Sequence, residues 1–253
     1  YDANGATSGS PPTDSNTYQS DDSATVANVT DLRGPSIQDG ITQRFTGWNT
    51  QPDGSGNMYQ SGQTLTMPNS DATLYAQWTT DSSVIGKIGP AGGYVFYDDE
   101  ADGTDDVAGA RYLEAAPEST EWDSKPWGGY GTEVGVSAQE TAIGTGAANT
   151  AAIISAYGAN EPYENRSDYA AKLTHDLSHY GYDDWFLPSR DELNEMYVNL
   201  YDQTTPVGGF ASDNYWSSSE YSSFNAWVQF FSNGSQGNGL KDYSFRVRAA
   251  RAF

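Results

Sequence analysis

Cysteine is absent from this chain of 253 residues. Its absence excludes disulfides, thiolate zinc sites and cysteine nucleophiles, and leaves the compartment open. Cations are scarce: 12 Lys and Arg stand against 34 Asp and Glu, a formal charge of −22. Such a field repels phosphate backbones and anionic membrane surfaces, so nucleic acid is excluded as a partner. No apolar run approaches the roughly 20 residues that span a bilayer, and no basic-then-apolar export segment is present. The chain opens at Tyr1 without an initiator Met. We therefore expect an export signal upstream, and with it a lipid-bearing anchor on the bacterial surface. What the chain has instead is Tyr, Trp, Gly, Ser, Thr, Asn and Asp, the mix of loop-rich, strand-rich extracellular modules.

Alternating polar and apolar residues with intervening turn chemistry make residues 1–79 a small strand-rich unit without a helix. The polar stretch 80–83 reads as a linker. The domain at 84–253 is expected to be α+β, with strands at 94–97 and 111–115 and helices at 149–157 and 168–180. A helix at 190–201 is better specified. Ser189 and Glu192 form a capping-box pattern, and Leu193, Met196, Tyr197 and Leu200 fall at helical spacing. Short strands follow near 215–219, 226–231 and 245–250, so the first and last strands of the domain are placed to pair in one sheet.

The ending, residues 214–253, looks like a fixed frame holding interchangeable residues. On a strand, Trp227, Gln229 and Phe231 share one face, while Ala226, Val228, Phe230 and Ser232 share the other. We expect the first face to be frame and the second to be display. Arg246, Arg248 and Arg251 are expected to pair with carboxylates such as Asp183, Asp184 or Glu220.

Two resemblances add to this reading. YDANGATSGS at 1–10, FTGWNTQPDGSG at 45–56 and MYQSGQTLTMPNSDATLYAQW at 58–78 resemble the Listeria-Bacteroides repeat of internalins. That likeness implies a β-grasp-like spacer. IGPAGGYVFYDD at 88–99, RYLEAAPESTEW at 111–122, IGTGAANTAAI at 143–153, YDDWFLPSRDELNEMY at 182–197, YWSSSE at 215–220 and RVRAARAF at 246–253 resemble the C-terminal domain of the Legionella collagen-like adhesin. The implied fold is C-type-lectin-like, of the formylglycine-generating-enzyme type.

Within that family the ending is similar to the variable region of retroelement-diversified proteins of the treponemal variable surface lipoprotein type. The resemblance implies random replacement of adenines in AAY codons, which gives Asn, Asp, Tyr, Ser, Phe, Val, Leu and Gly among others but never Trp, Gln, Lys, Glu or Met. Phe224, Asn225, Val228, Phe230, Ser232, Asn233, Ser235, Gly237, Asn238, Gly239, Leu240, Asp242, Tyr243, Ser244 and Phe245 belong to the permitted set. They are the candidate ligand-binding residues. Trp227, Gln229, Gln236 and Lys241 fall outside it and match the frame. Aromatics with Ser, Asn and Gly are also the residues of antibody paratopes, giving rigid contact area beside adaptable hydrogen bonding. The expected ligand is a protein or glycan on another cell, with no metal or cofactor involved. A fixed-specificity adhesin for host glycans is the alternative, and a carbohydrate-active enzyme a lesser one.

Other motifs do not support chemistry. His175 and His179 stand four apart in HDLSH, without the Glu and the third ligand of a zinc protease. The acidic loop 98–106 resembles a calcium loop, but Gly109 stands where the bidentate Glu belongs. Gln51-Pro52-Asp53 resembles a lectin sugar motif yet sits in the N-terminal unit. No GxSxG elbow is present. Many carboxylates are available for a glycosidase pair, and the sequence does not choose among them. The cysteines on which formylglycine generation depends are missing, so no enzymatic activity is expected.

Overall fold

The computed structural model describes residues 1–29, 31–79, 83–100, 106–107, 109–157 and 168–253. It divides into two compact units, Tyr1–Pro90 and Ala91–Phe253.

The first unit is built from short strands: β1 (Ser23–Thr25), β2 (Ser36–Gln38), β3 (Ile41–Thr42), β4 (Phe45–Asn49), β5 (Met58–Tyr59), β6 (Thr64–Thr66) and β7 (Tyr75–Trp78). β4 lies between β5 and β7, while β1 pairs with β6 and β2 with β3. Trp48 is the centre of its core, with Tyr1 and Phe45 edge-on at 4.7 and 5.1 Å and Val26, Leu32, Leu65 and Leu74 around it. Its indole N–H donates to the Ala27 carbonyl at 3.2 Å, so burying the ring leaves no orphaned donor. The segment after Val84 packs on this unit: Thr42 and Ile88 exchange backbone hydrogen bonds, and the Arg33 guanidinium reaches the carbonyls of Gly89 and Pro90. Asp53 accepts from the backbone N–H and hydroxyl of Ser55. It is a turn-forming residue.

The second unit is α+β, mostly sheet with few helices. Its elements are β8 (Tyr94–Asp98), β9 (Tyr112–Ala115), β10 (Trp122–Pro126), α1 (Gly146–Tyr157), α2 (Ala170–His175), α3 (Arg190–Met196), β11 (Asn214–Glu220), β12 (Asn225–Phe230), β13 (Gln236–Leu240), β14 (Ser244–Val247) and β15 (Ala250–Ala252). One sheet has the order β10-β14-β11-β12-β13 and the other β15-β9-β8. The first and last strands share one sheet but do not pair: β9 lies between them, with Ala250 of β15 opposite Ala115 of β9.

Strand alternation divides the core in two. Tyr215 on β11 enters a cluster with Phe96, Leu113, Leu193, Met196 and Phe231, while its neighbour Trp216 enters another with Trp127, Ile153, Tyr157, Val228 and Val247. Each such fully buried aromatic contributes on the order of 2–3 kcal/mol through the water it sheds.

The capping box at α3 is complete. Ser189 Oγ accepts from the Glu192 N–H, and the Glu192 carboxylate accepts from the Ser189 N–H at 2.7 Å. The helix then widens into a π-turn at Tyr197–Tyr201. The helix expected over 168–180 is shorter. It stops at His175, and the chain turns back at Tyr180 and Gly181, both with positive φ, so that His179 bridges to Tyr182. The two histidines therefore do not share a helical face. Most of the calcium-like acidic stretch, residues 101–105, lies outside the described residues. Among the described residues no cluster of three His, Asp or Glu is arranged for a metal, and no helix is long and apolar enough to cross a membrane.

Candidate ligand-binding surface

β12 and β13 form the hairpin that carries most of the candidate residues. Its register places Asn225 opposite Leu240, Trp227 opposite Asn238 and Gln229 opposite Gln236 on one face, and Ala226 opposite Gly239 and Val228 opposite Gly237 on the other. The candidate positions thus occupy both faces, which corrects the division into a frame face and a display face. Burial also runs against it: Val228 is 1% exposed in the core, whereas Trp227 is only half-buried. The reason is what covers each face. The Val228 side packs on Trp127, Ile153 and Trp216, while the Trp227 ring meets the Arg190 guanidinium at 5.0 Å and the ring of Tyr221 at 5.3 Å.

The strand glycines make room for aromatics. A Cβ on Gly237 would stand 2.8 Å from the Phe230 ring, and one on Gly239 would stand 2.7 Å from Phe245 and 3.1 Å from Trp216. Gly239 is buried beneath these rings and offers no surface of its own. Gly239→Ala is expected to cost about 1–3 kcal/mol by overpacking. Because the Phe245 ring edge can yield and buried Trp216 cannot, Phe245→Leu should recover part of that loss. Urea melts of the two single variants and the double variant measure the coupling; strict additivity would refute the contact.

The remaining candidates separate along the hairpin. Ser232, Asn233 and Ser235 are exposed at its tip, where the Asn233 carbonyl oxygen Oδ1 accepts from the Ser235 N–H and hydroxyl. Phe224, Asp242, Tyr243 and Ser244 are exposed at the other end, with Asn225 and Leu240 half-buried beside them. Strands rise about 3.3 Å per residue, so a six-residue strand separates these groups by roughly 20 Å. Asn238 lies between them, exposed, and accepts from the Asn225 amide at 3.0 Å. Phe230 and Phe245 are half-buried at the rim of the core, and Phe245 continues a line of rings from Trp216 at 4.6 Å to Tyr243 at 6.1 Å.

The frame residues serve backbone groups. Gln229 donates to the Gly234 carbonyl and so closes the hairpin turn, while Gln236 donates to the Arg190 carbonyl and ties the hairpin to α3. Lys241 is fully buried; its ammonium donates to Glu220 Oε1 at 2.5 Å and to the Thr132 carbonyl at 2.9 Å, and lies 4.5 Å from the Trp127 ring centre. Burial pushes the Lys241 pKa down, and the Glu220 carboxylate opposes that shift. Glu220 also accepts from the backbone N–H groups of Val134 and Gly135, both at 2.9 Å. One buried ion pair thereby joins the end of β11, the end of β13 and the loop 127–135.

The arginines are structural. Arg246 pairs with Glu121, Asp123 and Asp213, and Arg248 with Glu121 and the carbonyls of Ala116 and Gly208. Arg251 lies between Glu114 at 3.0 Å and Asp184 at 2.5 Å. Of the expected partners, Asp184 is used by an arginine and Glu220 is taken by Lys241.

Residues 115–251, more than half of the chain, match the Lcl C-terminal domain. The chain belongs to that family. Residues 1–77 match the Listeria-Bacteroides repeat domain. Two proteins of Evansella cellulosilytica are similar to part of the chain. One, named as a Gly-rich membrane protein, is 43% identical over 79 residues, which is 31% of this chain and 8% of that protein. The other, named as a membrane protein, is 37% identical over 89 residues, 35% of this chain and 12% of that protein. The chain thus spans a small fraction of either relative. A fimbrial protein from Bacteroides ovatus aligns over 88% of this chain and 58% of its own, at a TM-score of 0.43 and 14% identity.

In this Lcl C-terminal domain the exposed aromatic surface extends beyond the C-terminal forty residues. Tyr130 is 48% exposed, and its ring lies edge-on to Phe224 at 5.2 Å. Sequence reasoning missed it because Tyr130 is nearly a hundred positions from Phe224. The glycines around it, Gly128, Gly129 and Gly131, were the available signal of a shaped loop.

Proposed function

We propose that this protein is a surface-displayed ligand-binding module of bacteria. In this reading a β-grasp-like spacer carries a C-type-lectin-like domain whose C-terminal positions are diversified by a retroelement. The observation that carries it is the group of exposed aromatics, Phe224 at 48% and Tyr243 at 51%, on turns whose backbones are tied down. Lys241 N–H donates to the Phe224 carbonyl at 2.9 Å and Tyr243 N–H to the Leu240 carbonyl at 2.8 Å. Large rings held in place lose little entropy on binding, so contacts of this kind tend to dominate affinity. Membership of the Lcl C-terminal domain family supports a surface-adhesin role. The absence of cysteine and the tying of Glu114, Glu192 and Glu220 into backbone hydrogen bonds support binding over catalysis. A lipid anchor upstream of Tyr1 belongs to the same reading.

Two measurements test it. Binders selected from a glycan array or a random-peptide display library should lose about 10-fold or more in affinity on Phe224→Ala or Tyr243→Ala. They should keep their affinity on Tyr180→Ala, an exposed tyrosine outside the hairpin; equal affinity in all three variants defeats the binding surface. For diversification, copies of the coding segment should differ from a nearby template only at its adenines. An unvarying segment across isolates favours the fixed-specificity adhesin instead.

A further inference from the structure

The three turns at the Phe224 end of the hairpin are one hydrogen-bonded platform. Gly131 N–H donates to the Ser223 carbonyl at 2.9 Å and Gly128 N–H to the Lys241 carbonyl at 3.2 Å. The Thr132 carbonyl accepts from Tyr157 Oη at 3.1 Å as well as from Lys241. The indole of Trp127, at the start of the loop, donates to the Ser217 carbonyl at 2.8 Å. Gly128 and Gly131 have φ of +100° and +85°, and a Cβ at Gly128 would stand 3.0 Å from Tyr169, so the loop needs glycine to take this path. The result is that Tyr130 is presented beside Phe224 by a loop pinned along its length.

Exposed carboxylates stand on the turns that carry these rings. Glu133 is exposed on the loop of Tyr130, and Asp242 on the turn of Tyr243. Lys241 is neutralised by Glu220 and Arg190 by Asp191, while Lys125 stands opposite Phe245 on β10. Rings flanked by carboxylates suit Lys and Arg side chains, which gain both ion pairing and cation–π attraction. A second copy of the chain would bring another −22 of charge to the contact, which opposes self-association.

We propose that Tyr130 and its loop are a fixed half of the ligand-binding surface, beside the candidate variable half, and that together they take a Lys- and Arg-bearing polypeptide. The proposal rests on the binding function above. It adds a residue outside the variable segment and a class of partner. Tyr130 supplies ring area that is present whatever stands at positions 224 and 243, so basal recognition of cationic polypeptide persists while the variable residues select among such partners.

A random-peptide display library panned on the full chain provides the probe. The expected enrichment is for peptides with Lys or Arg beside apolar residues. Their affinity should fall about 10-fold or more on Tyr130→Ala, hold on Tyr130→Phe, and weaken as salt is raised. Circular dichroism and thermal melts of Tyr130→Ala establish that it folds. If Phe224→Ala and Tyr243→Ala weaken binding while Tyr130→Ala does not, the fixed half is refuted and the binding function stands. If none of the three weakens it, both fall. Enrichment of acidic peptides, binding to neutral glycans in place of peptides, or a dimer in sedimentation that Tyr130→Ala dissolves would each overturn the partner class.

Discussion

Replacing Lys241 with Met is expected to lower the stability of the Lcl C-terminal domain by about 3–5 kcal/mol, the cost of leaving a buried charge without its partner. Both side chains of the Lys241–Glu220 pair are fully buried, so water cannot take the place of the lost ammonium. The Thr132 carbonyl loses a donor in the same step. Glu220→Gln should also be costly, because the amide nitrogen must then face either the Lys241 ammonium or one of two backbone N–H donors. The double variant Glu220→Gln with Lys241→Met should cost less than the sum of the two singles, since no unpaired charge remains. Urea unfolding at neutral pH, followed in all three proteins with unchanged m-values, measures the coupling. A loss below about 1 kcal/mol in Lys241→Met, the level of an exposed pair, would show that the pair does not hold the loops together. The same variant should loosen the loop 127–135 and so weaken any binder that uses Tyr130.

Much of this architecture was legible where chemistry is local. The Ser189 and Glu192 pattern predicts a helix start, and both hydrogen bonds of the capping box are present. Leu193, Met196 and Leu200 enter the core from that helix, as their spacing requires. Alternation on β11 and β12 was legible for the same reason: a period of two is fixed by the strand itself. β13 was not. Its sequence QGNGL has two glycines, an asparagine and no β-branched residue, and it is a strand because five residues pair with β12. Missing β13 meant that the register dividing the candidates between two faces could not be read. Nor could the partners of distant charges. Arg248 meets Glu121 across 127 positions and Arg251 meets Glu114 across 137. Local pattern carries no information at that range, and only the fold brings those groups together.

Glu192 shows a local motif taking on a second duty that the motif does not announce. Besides closing the capping box, its carboxylate accepts from the Gly144 and Gly146 N–H groups at 2.9 and 3.3 Å, tying the entry of α1 to the start of α3. The acceptor bonds favour the charged form, but burial outweighs them and pushes the pKa from 4.5 to about 7. Because the folded protein then holds this proton more tightly than the unfolded chain, the contribution of Glu192 is greatest below pH 4.5. It is lost as pH rises through about 7. A rise of about 2.5 units corresponds to a loss of about 3 kcal/mol across that window. The measurement is stability against pH for the wild type and for Glu192→Gln, which does not titrate. The difference between them should move against the wild type by about that amount between pH 4.5 and 8, and a carbon-detected titration of the Glu192 carboxyl should have its midpoint near 7. Glu114, also pushed up by burial and opposed by Arg251, contributes in the same direction in both proteins and cancels in the difference. A flat difference would place the Glu192 pKa at its ordinary value. Glu192→Ala should be worse than Glu192→Gln at every pH, because it leaves the buried N–H groups of Gly146 and Ser189, and the part-buried one of Gly144, without an acceptor.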